Sequence, residues 1–235
     1  MNRSLLRLAT VAVTMLFISR GSSHAGHFAT ISIDGVTSDW AGVPIAHSDP
    51  NDGGGAVDWK DIYIANDDDF VYVRFTLWTP ADASSFVTNY YLDGDNVDST
   101  GYHVFGNPNF GSSLLMQSGS AYQQAGGGFN EGGLAGTATS FAPLFAGPGL
   151  DFEYRVDRDV VGVAGAFAGL PLITSSTIQI QLQTDSGDVA PDTIEGIEYT
   201  FAVVPEPCSL ITGLLGGCLL LVWRAGSLAK RSRLH

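Results

Sequence analysis

The stretch Asp61–Trp78, DIYIANDDDFVYVRFTLW, constrains the fold more than any other in this chain of 235 residues. Ile62 and Ile64, then Val71, Val73 and Phe75, occupy alternate positions on either side of a polar turn, Asn66-Asp67-Asp68-Asp69. Successive side chains of a strand point to opposite faces, so this spacing predicts a β-hairpin with one buried face. A lone hairpin is only marginally stable, and its apolar face requires a second layer. Further strands are expected at Thr30–Ile33, Phe86–Leu92, Tyr102–Phe105, Leu114–Gln117, Phe152–Val156, Ile178–Thr184 and Ile197–Val203, and no interior stretch holds a helical period. The expected fold is all-β, an antiparallel, jelly-roll-like β-sandwich. Between Gly106 and Gly149 the alternation fails and Gly, Ala and Ser dominate; one or two short strands, near Leu114–Gln117 and Ser120–Gln123, are expected there before a flexible excursion to about Thr139.

The two ends differ from this body. Arg3 and Arg7 precede an apolar run, Leu8–Ile18, and Ser23-His24-Ala25 offers small residues for cleavage, which predicts a signal peptide over residues 1–25 and a mature start at Gly26. At the other end Val204 leads into Pro205, Glu206 and Pro207, an apolar run Cys208–Trp223, and a basic tail with Arg224, Lys230, Arg231 and Arg233. A sixteen-residue helix is about 24 Å long, short against a hydrocarbon core of roughly 30 Å but able to span it with thinning or snorkelling. The positive cluster stays cytoplasmic, so residues 26–203 form one domain on the far side of the membrane.

That domain is strongly acidic. Apart from the signal segment and the tail, only Lys60, Arg74, Arg155 and Arg158 oppose 23 Asp and Glu residues, a formal charge of −19. Such a body repels nucleic acid and anionic polymers and leaves neutral glycans, cations or basic partners. Both cysteines, Cys208 and Cys218, fall in the apolar run, so no disulfide is expected in the exported domain.

The order and spacing of the three tail segments resemble the PEP-CTERM sorting signal of Gram-negative bacteria. The resemblance implies export through the inner membrane, transient anchoring through residues 208–223, processing by an exosortase near Pro205–Pro207, and delivery to the cell surface or medium, often alongside exopolysaccharide production. The opening ISIDGVTSDWAGVP, followed by DIYIANDDDFVYVRF, YYLDGDNVDSTGY and FEYRVDRDVVG, resembles family-nine carbohydrate-binding modules and the wider DOMON-like sandwiches over most of residues 31–203. That resemblance implies a β-sandwich, frequently with structural calcium, that binds sugars in some members and haem in others.

Asp34, Gly35, Asp39 and Trp40 match the opening and are read as architecture, Gly35 for a tight turn and Trp40 as a plug at one end of the core. The aromatics outside the alternating core pattern, Trp59, Trp78 and Tyr122, are the candidates for a sugar platform. Calcium, which takes six to eight oxygen ligands, has candidates in Asp93, Asp95 and Asp98 and in Asp67 and Asp69. Asp49, Asn51, Asp52 and Asp58 form a third acidic group, and all three groups also suit solvated turns. The Asp93 loop is not an EF-hand, because Val97 and Val104 stand where ligands belong. Nothing pairs Met116 with His103 as haem ligands, and neither haem nor nucleotide is expected.

There is no Gly-x-Ser-x-Gly elbow, no His-Glu-x-x-His pair and no phosphate-cradling loop, and His27, His47 and His103 are isolated along the chain. The expected function is therefore a non-catalytic, surface-sorted module for extracellular carbohydrate. The alternatives are a matrix or biofilm scaffold without a specific small ligand, and a glycoside hydrolase, which needs only two carboxylates.

Overall fold

The computed structural model describes residues 24–53, 57–81, 88–104, 107–117, 120–124, 128–130, 133, 141–145, 149–184, 188–193 and 195–203. The expected signal peptide up to Ser23 and the whole tail 204–235, with Pro205, Glu206, Pro207 and its basic residues, lie outside them.

Two antiparallel sheets face each other. The first is five-stranded, in the order β10 (Phe141–Phe145), β11 (Gly149–Asp157), β4 (Phe70–Ala81), β3 (Trp59–Asn66) and β2 (Ile45–Ser48). The second is seven-stranded and runs β1 (His24–Ala25), β14 (Ile197–Thr200), β12 (Thr177–Thr184), β5 (Thr88–Asp93), β8 (Leu114–Gln117) and β9 (Ser120–Gln123), with β13 (Val189–Ala190) paired to β12. A separate ribbon joins β6 (Tyr102–His103) to β7 (Gly111–Ser112), and β1 meets β14 in parallel. Among the described residues the helical elements are short 3₁₀ turns at Thr37–Trp40 and Gly165–Phe167.

The hairpin is β3 and β4, in the register Ile62–Phe75 and Ile64–Val73. Its inward side chains meet Tyr90, Leu92, Leu114, Met116, Ile178, Ile180 and Leu182 of the opposite sheet in one buried cluster. The sandwich thus arises from period-two patterning in both layers. The turn closes on Asp67: its Oδ1 accepts the backbone N–H groups of Asp69 and Phe70, and its Oδ2 accepts the Tyr72 hydroxyl at 2.6 Å.

Both outer faces are also partly covered. Ile31, Trp40 and Val43 pack on Ala65 and Tyr72 across the back of the hairpin. The opening motif is the clasp for this cover. Glu153 of β11, 2 % exposed, accepts the N–H groups of Asp34 at 3.0 Å and Gly35 at 2.7 Å on Oε1, and the Trp40 indole at 2.8 Å on Oε2. Gly35 turns there with φ of 77°, and Asp39 Oδ2 accepts the Ser32 N–H at 2.7 Å. Residues 30–33, expected as a strand, are not one: Ile31 is held by packing and its neighbours by this clasp rather than by a ladder. On the other side Tyr91, Val104, Phe110 and Leu115 form a third cluster behind the seven-stranded sheet.

Candidate functional site

The three candidate aromatics separate in space. Trp59 is fully buried, with its ring 4.8 Å from that of Phe75 and 6.4 Å from that of Tyr90. It has no face to offer a sugar, which corrects the expectation from sequence. The cause is a β-bulge. Trp59 pairs with Leu77 and Ile62 with Phe75, so β3 carries one extra residue in that interval, and the alternation that places position 59 outside is reversed. Trp78 is 39 % exposed, its indole N–H donates to the Asp49 carbonyl at 3.2 Å, and Lys60 Nζ sits 4.8 Å from the ring centroid. Tyr122 lies on the other sheet, half-buried against the Tyr91 cluster.

Of the candidate calcium ligands, Asp67 is committed to its turn. Burial alone would raise its carboxyl, but the hydrogen bonds from Tyr72, Phe70 and Asp69 outweigh burial and hold it below the usual range. With both oxygens held by the chain's own donors and Asp69 exposed, this pair builds a turn rather than a cation cage. Asp93, at the end of β5, is fully buried; its Oδ1 accepts the N–H groups of Asp95 and Asn96, while its Oδ2 meets no donor. Asp95 is tied to the Val97 N–H and the Thr100 hydroxyl, and Asp98 turns away to meet Gln179 at 3.4 Å. Burial, with the adjacent Asp95 carboxyl second, pushes Asp93 up to about 7.

A folded-state value raised from 3.8 means that the stability from holding the proton is complete below about pH 4 and is lost as pH rises through about 7. In Asp93→Asn the amide retains the Oδ1 acceptor and adds a donor where Oδ2 has none. Thermal melts in chelator should show this variant several degrees more stable than the parent at pH 8, on the order of 2 kcal/mol, with the gap closing towards pH 4. A variant that is less stable than the parent at pH 8 would overturn this reading of the pair.

A polar recess opens where β2, the Asp93–Asp98 loop and the β13–β14 connection converge. It encloses about 550 Å³ and is lined by His47, Asn96, Asp98, Gln179, Glu195 and Glu198 among others. Gln179 braces it from β12: its amide donates to Asn96 Oδ1 at 3.0 Å and its carbonyl oxygen accepts the Gly196 N–H at 3.0 Å. Apart from Asp98, expected as a calcium ligand, none of these residues stands out in the sequence as a binding group, because they come from four separate segments and are ordinary polar surface types.

Beside this cleft four carboxylates converge. One oxygen each from Asp49, Asp52, Asp188 and Asp192 lies within 4.8 Å of the others, with Asp49 and Asp188 buried and Asp52 and Asp192 exposed. His47, in the cleft wall, places Nε2 3.2 Å from Asp49 Oδ1. Asp188 is positioned by the N–H groups of Trp59 at 2.8 Å and Val189 at 3.0 Å. Burial, and next the charges of Asp49 and Asp58, push it up to about 6. Asp49 and Asp52 already form a group in the sequence; Asp188 and Asp192 join it only through the pairing of β12 with β13.

No protein-family model and no curated protein matches the chain. Two solved structures similar to it are a family 9 carbohydrate-binding module from Caldicellulosiruptor kristjanssonii in complex with cellotriose and one in complex with glucose, each at 13 % identity with a TM-score of 0.46. The first alignment covers 77 % of this chain and 94 % of that one, the second 79 % and 98 %.

Proposed function

We propose that this protein is an exported, non-catalytic carbohydrate-binding module that takes a neutral saccharide in the cleft braced by Gln179. The cleft carries the reading. Its amides donate and accept and its carboxylates accept, as sugar hydroxyls require, and its 550 Å³ falls within the usual range for small-molecule sites. Asp98, Glu195 and Glu198 in the wall disfavour an anionic glycan. Among the described residues no Phe, Tyr or Trp lines the cleft, so recognition there is by hydrogen bonds rather than stacking. The tail supplies the address: transient anchoring through residues 208–223, exosortase processing, and release at the surface. Calcium belongs to the same proposal, and Asp93→Asn melts repeated with calcium decide whether the Asp93–Asp95 pair is served by a proton or by an ion.

The test is retention of the purified protein on a panel of neutral polysaccharides, with calcium and with chelator, alongside a reducing-sugar assay. Saturable binding is expected, weakened tenfold or more by Gln179→Ala, a loss of about 1.4 kcal/mol, with the fold intact by circular dichroism. Binding lost in Trp78→Ala but kept in Gln179→Ala would move the site to the exposed indole. That no Phe, Tyr or Trp lines the cleft among the described residues favours a second reading, the matrix scaffold, and no retention in either condition would support it. Release of reducing ends would overturn the non-catalytic assignment.

A further inference from the structure

We propose that the loop 160–173 is an interfacial element that seats the domain on a neutral, zwitterionic lipid surface while the tail holds it at the membrane; the inference rests on the anchoring proposed above. Fourteen consecutive residues here, VVGVAGAFAGLPLI, carry no charged or polar side chain, in a body whose formal charge is −19. Part of the run is ordinary core, since Val160 and Leu172 are buried in the cluster between the sheets. The rest meets solvent. Val161 is 43 %, Val163 50 % and Leu170 53 % exposed, and Ala168 and Pro171 are exposed beside them. Single apolar side chains on a surface need no explanation, but a contiguous set on one loop marks a place where the protein meets something apolar.

The loop is held in shape with these side chains outward. The Gly162 N–H donates to the Leu170 carbonyl at 2.9 Å, the Gly169 N–H to the Gly162 carbonyl at 2.8 Å and the Leu172 N–H to the Val160 carbonyl at 2.9 Å. Gln123 of β9, fully buried, accepts the N–H groups of Val163 at 2.8 Å and Ala164 at 3.2 Å on Oε1 and donates to the Ala164 carbonyl at 3.0 Å. The loop also lies at the end of the sandwich from which the chain leaves. Just before it, the Arg158 N–H donates to the Asp69 carbonyl at 2.8 Å and the guanidinium carbon lies 4.3 Å from the centroid of the Phe201 ring. Just after it, the Ser176 carbonyl accepts the Phe201 N–H at 2.8 Å. Asn66 then fixes Ala202, accepting its N–H at 2.8 Å and donating to its carbonyl at 3.0 Å. From Val203 only four residues, about 14 Å of fully extended chain, lead to the expected membrane segment at Cys208. Anchoring through that segment therefore keeps this end of the domain, with its apolar loop, close to the bilayer surface, where exposed apolar side chains gain by entering the headgroup boundary. Asp68, Asp69 and Asp159 are exposed at the same end and would be repelled by anionic headgroups, which selects a zwitterionic surface.

The test places an environment-sensitive nitrobenzoxadiazole label on Val163→Cys in the full-length protein carrying Cys208→Ala and Cys218→Ala, reconstituted in phosphatidylcholine vesicles. The control label is on Asn51→Cys, exposed in the β2–β3 connection at the opposite end of the sandwich. The label at position 163 should be blue-shifted relative to the control and quenched by spin-labelled phosphatidylcholine, and the control should not be quenched. Val161→Ser/Leu170→Ser changes only exposed side chains, so its melt should match the parent, but it should return the label at position 163 to the emission of the control. Protein that fails to float with the vesicles would refute the anchoring, and this inference with it. Protein that floats while the label at position 163 stays in water, equal quenching at both positions, or lipid contact that survives Val161→Ser/Leu170→Ser would refute the inference alone. So would a blue shift without quenching by lipid, the result expected if a second copy of the chain covers the loop.

Discussion

Replacing Glu153 by alanine is expected to destabilise the domain by about 3 kcal/mol, a fall in melting temperature of roughly 6–12 °C for a domain of this size. Glu153 is a buried carboxylate whose charge is balanced by three N–H donors. The donors are not equivalent. Asp34 and Gly35 are exposed, so water replaces much of what their N–H groups lose, whereas Trp40 is 3 % exposed and its indole N–H would be stranded. The cover formed by Ile31, Trp40 and Val43 loosens with it, which adds an apolar contribution. Glu153→Gln keeps one acceptor and presents an NH₂ where a donor already sits, so it should cost about half as much. Urea denaturation of the three proteins checks this; a loss below about 0.5 kcal/mol in the alanine variant would mean that the clasp does not hold the cover.

Trp59→Ala should cost about 3–5 kcal/mol, the usual penalty for removing a fully buried large aromatic, because its ring packs on Phe75 of its own sheet and reaches Tyr90 of the opposite one. The same substitution distinguishes core from platform. A platform tryptophan, once truncated, leaves stability unchanged and abolishes sugar binding, whereas a core tryptophan does the reverse at temperatures where the variant is still folded. Trp59→Phe, which keeps an aromatic ring, should recover more than half of the loss.

What the sequence makes legible follows from locality. The hairpin is legible because its signal lies within one short stretch and repeats on both sides of the turn, and β8 falls where the local pattern places it, at Leu114–Gln117. Gly35 and Trp40 are architectural as expected, but Trp40 covers the back of the hairpin instead of plugging one end of the core, and Glu153, more than a hundred residues away, could not be identified as the acceptor they share. Edge strand β2 is missed because Ile45–Ser48 pairs on one side with a register shift and shows no clean alternation of burial. Trp59 is misplaced for the reason that makes the hairpin easy: strict alternation is a strong rule, and one inserted residue reverses it. The acidic centre and the cleft are half-legible at best. Asp49 and Asp52 are visible as a group, but Asp188, Asp192, Gln179 and Glu198 acquire meaning only when β12, β13 and β14 bring them beside β2.

The most direct test of the central claim, that the cleft braced by Gln179 takes a neutral saccharide, is an NMR titration of the ¹⁵N-labelled protein with a short neutral oligosaccharide. The account predicts saturable shifts concentrated on the Asn96 and Gln179 side-chain amides and the Thr193, Glu195 and Gly196 backbone, with the Trp78 indole little affected. Shifts confined to Trp78 and Lys60, or none at concentrations where the polysaccharide panel shows retention, would contradict it.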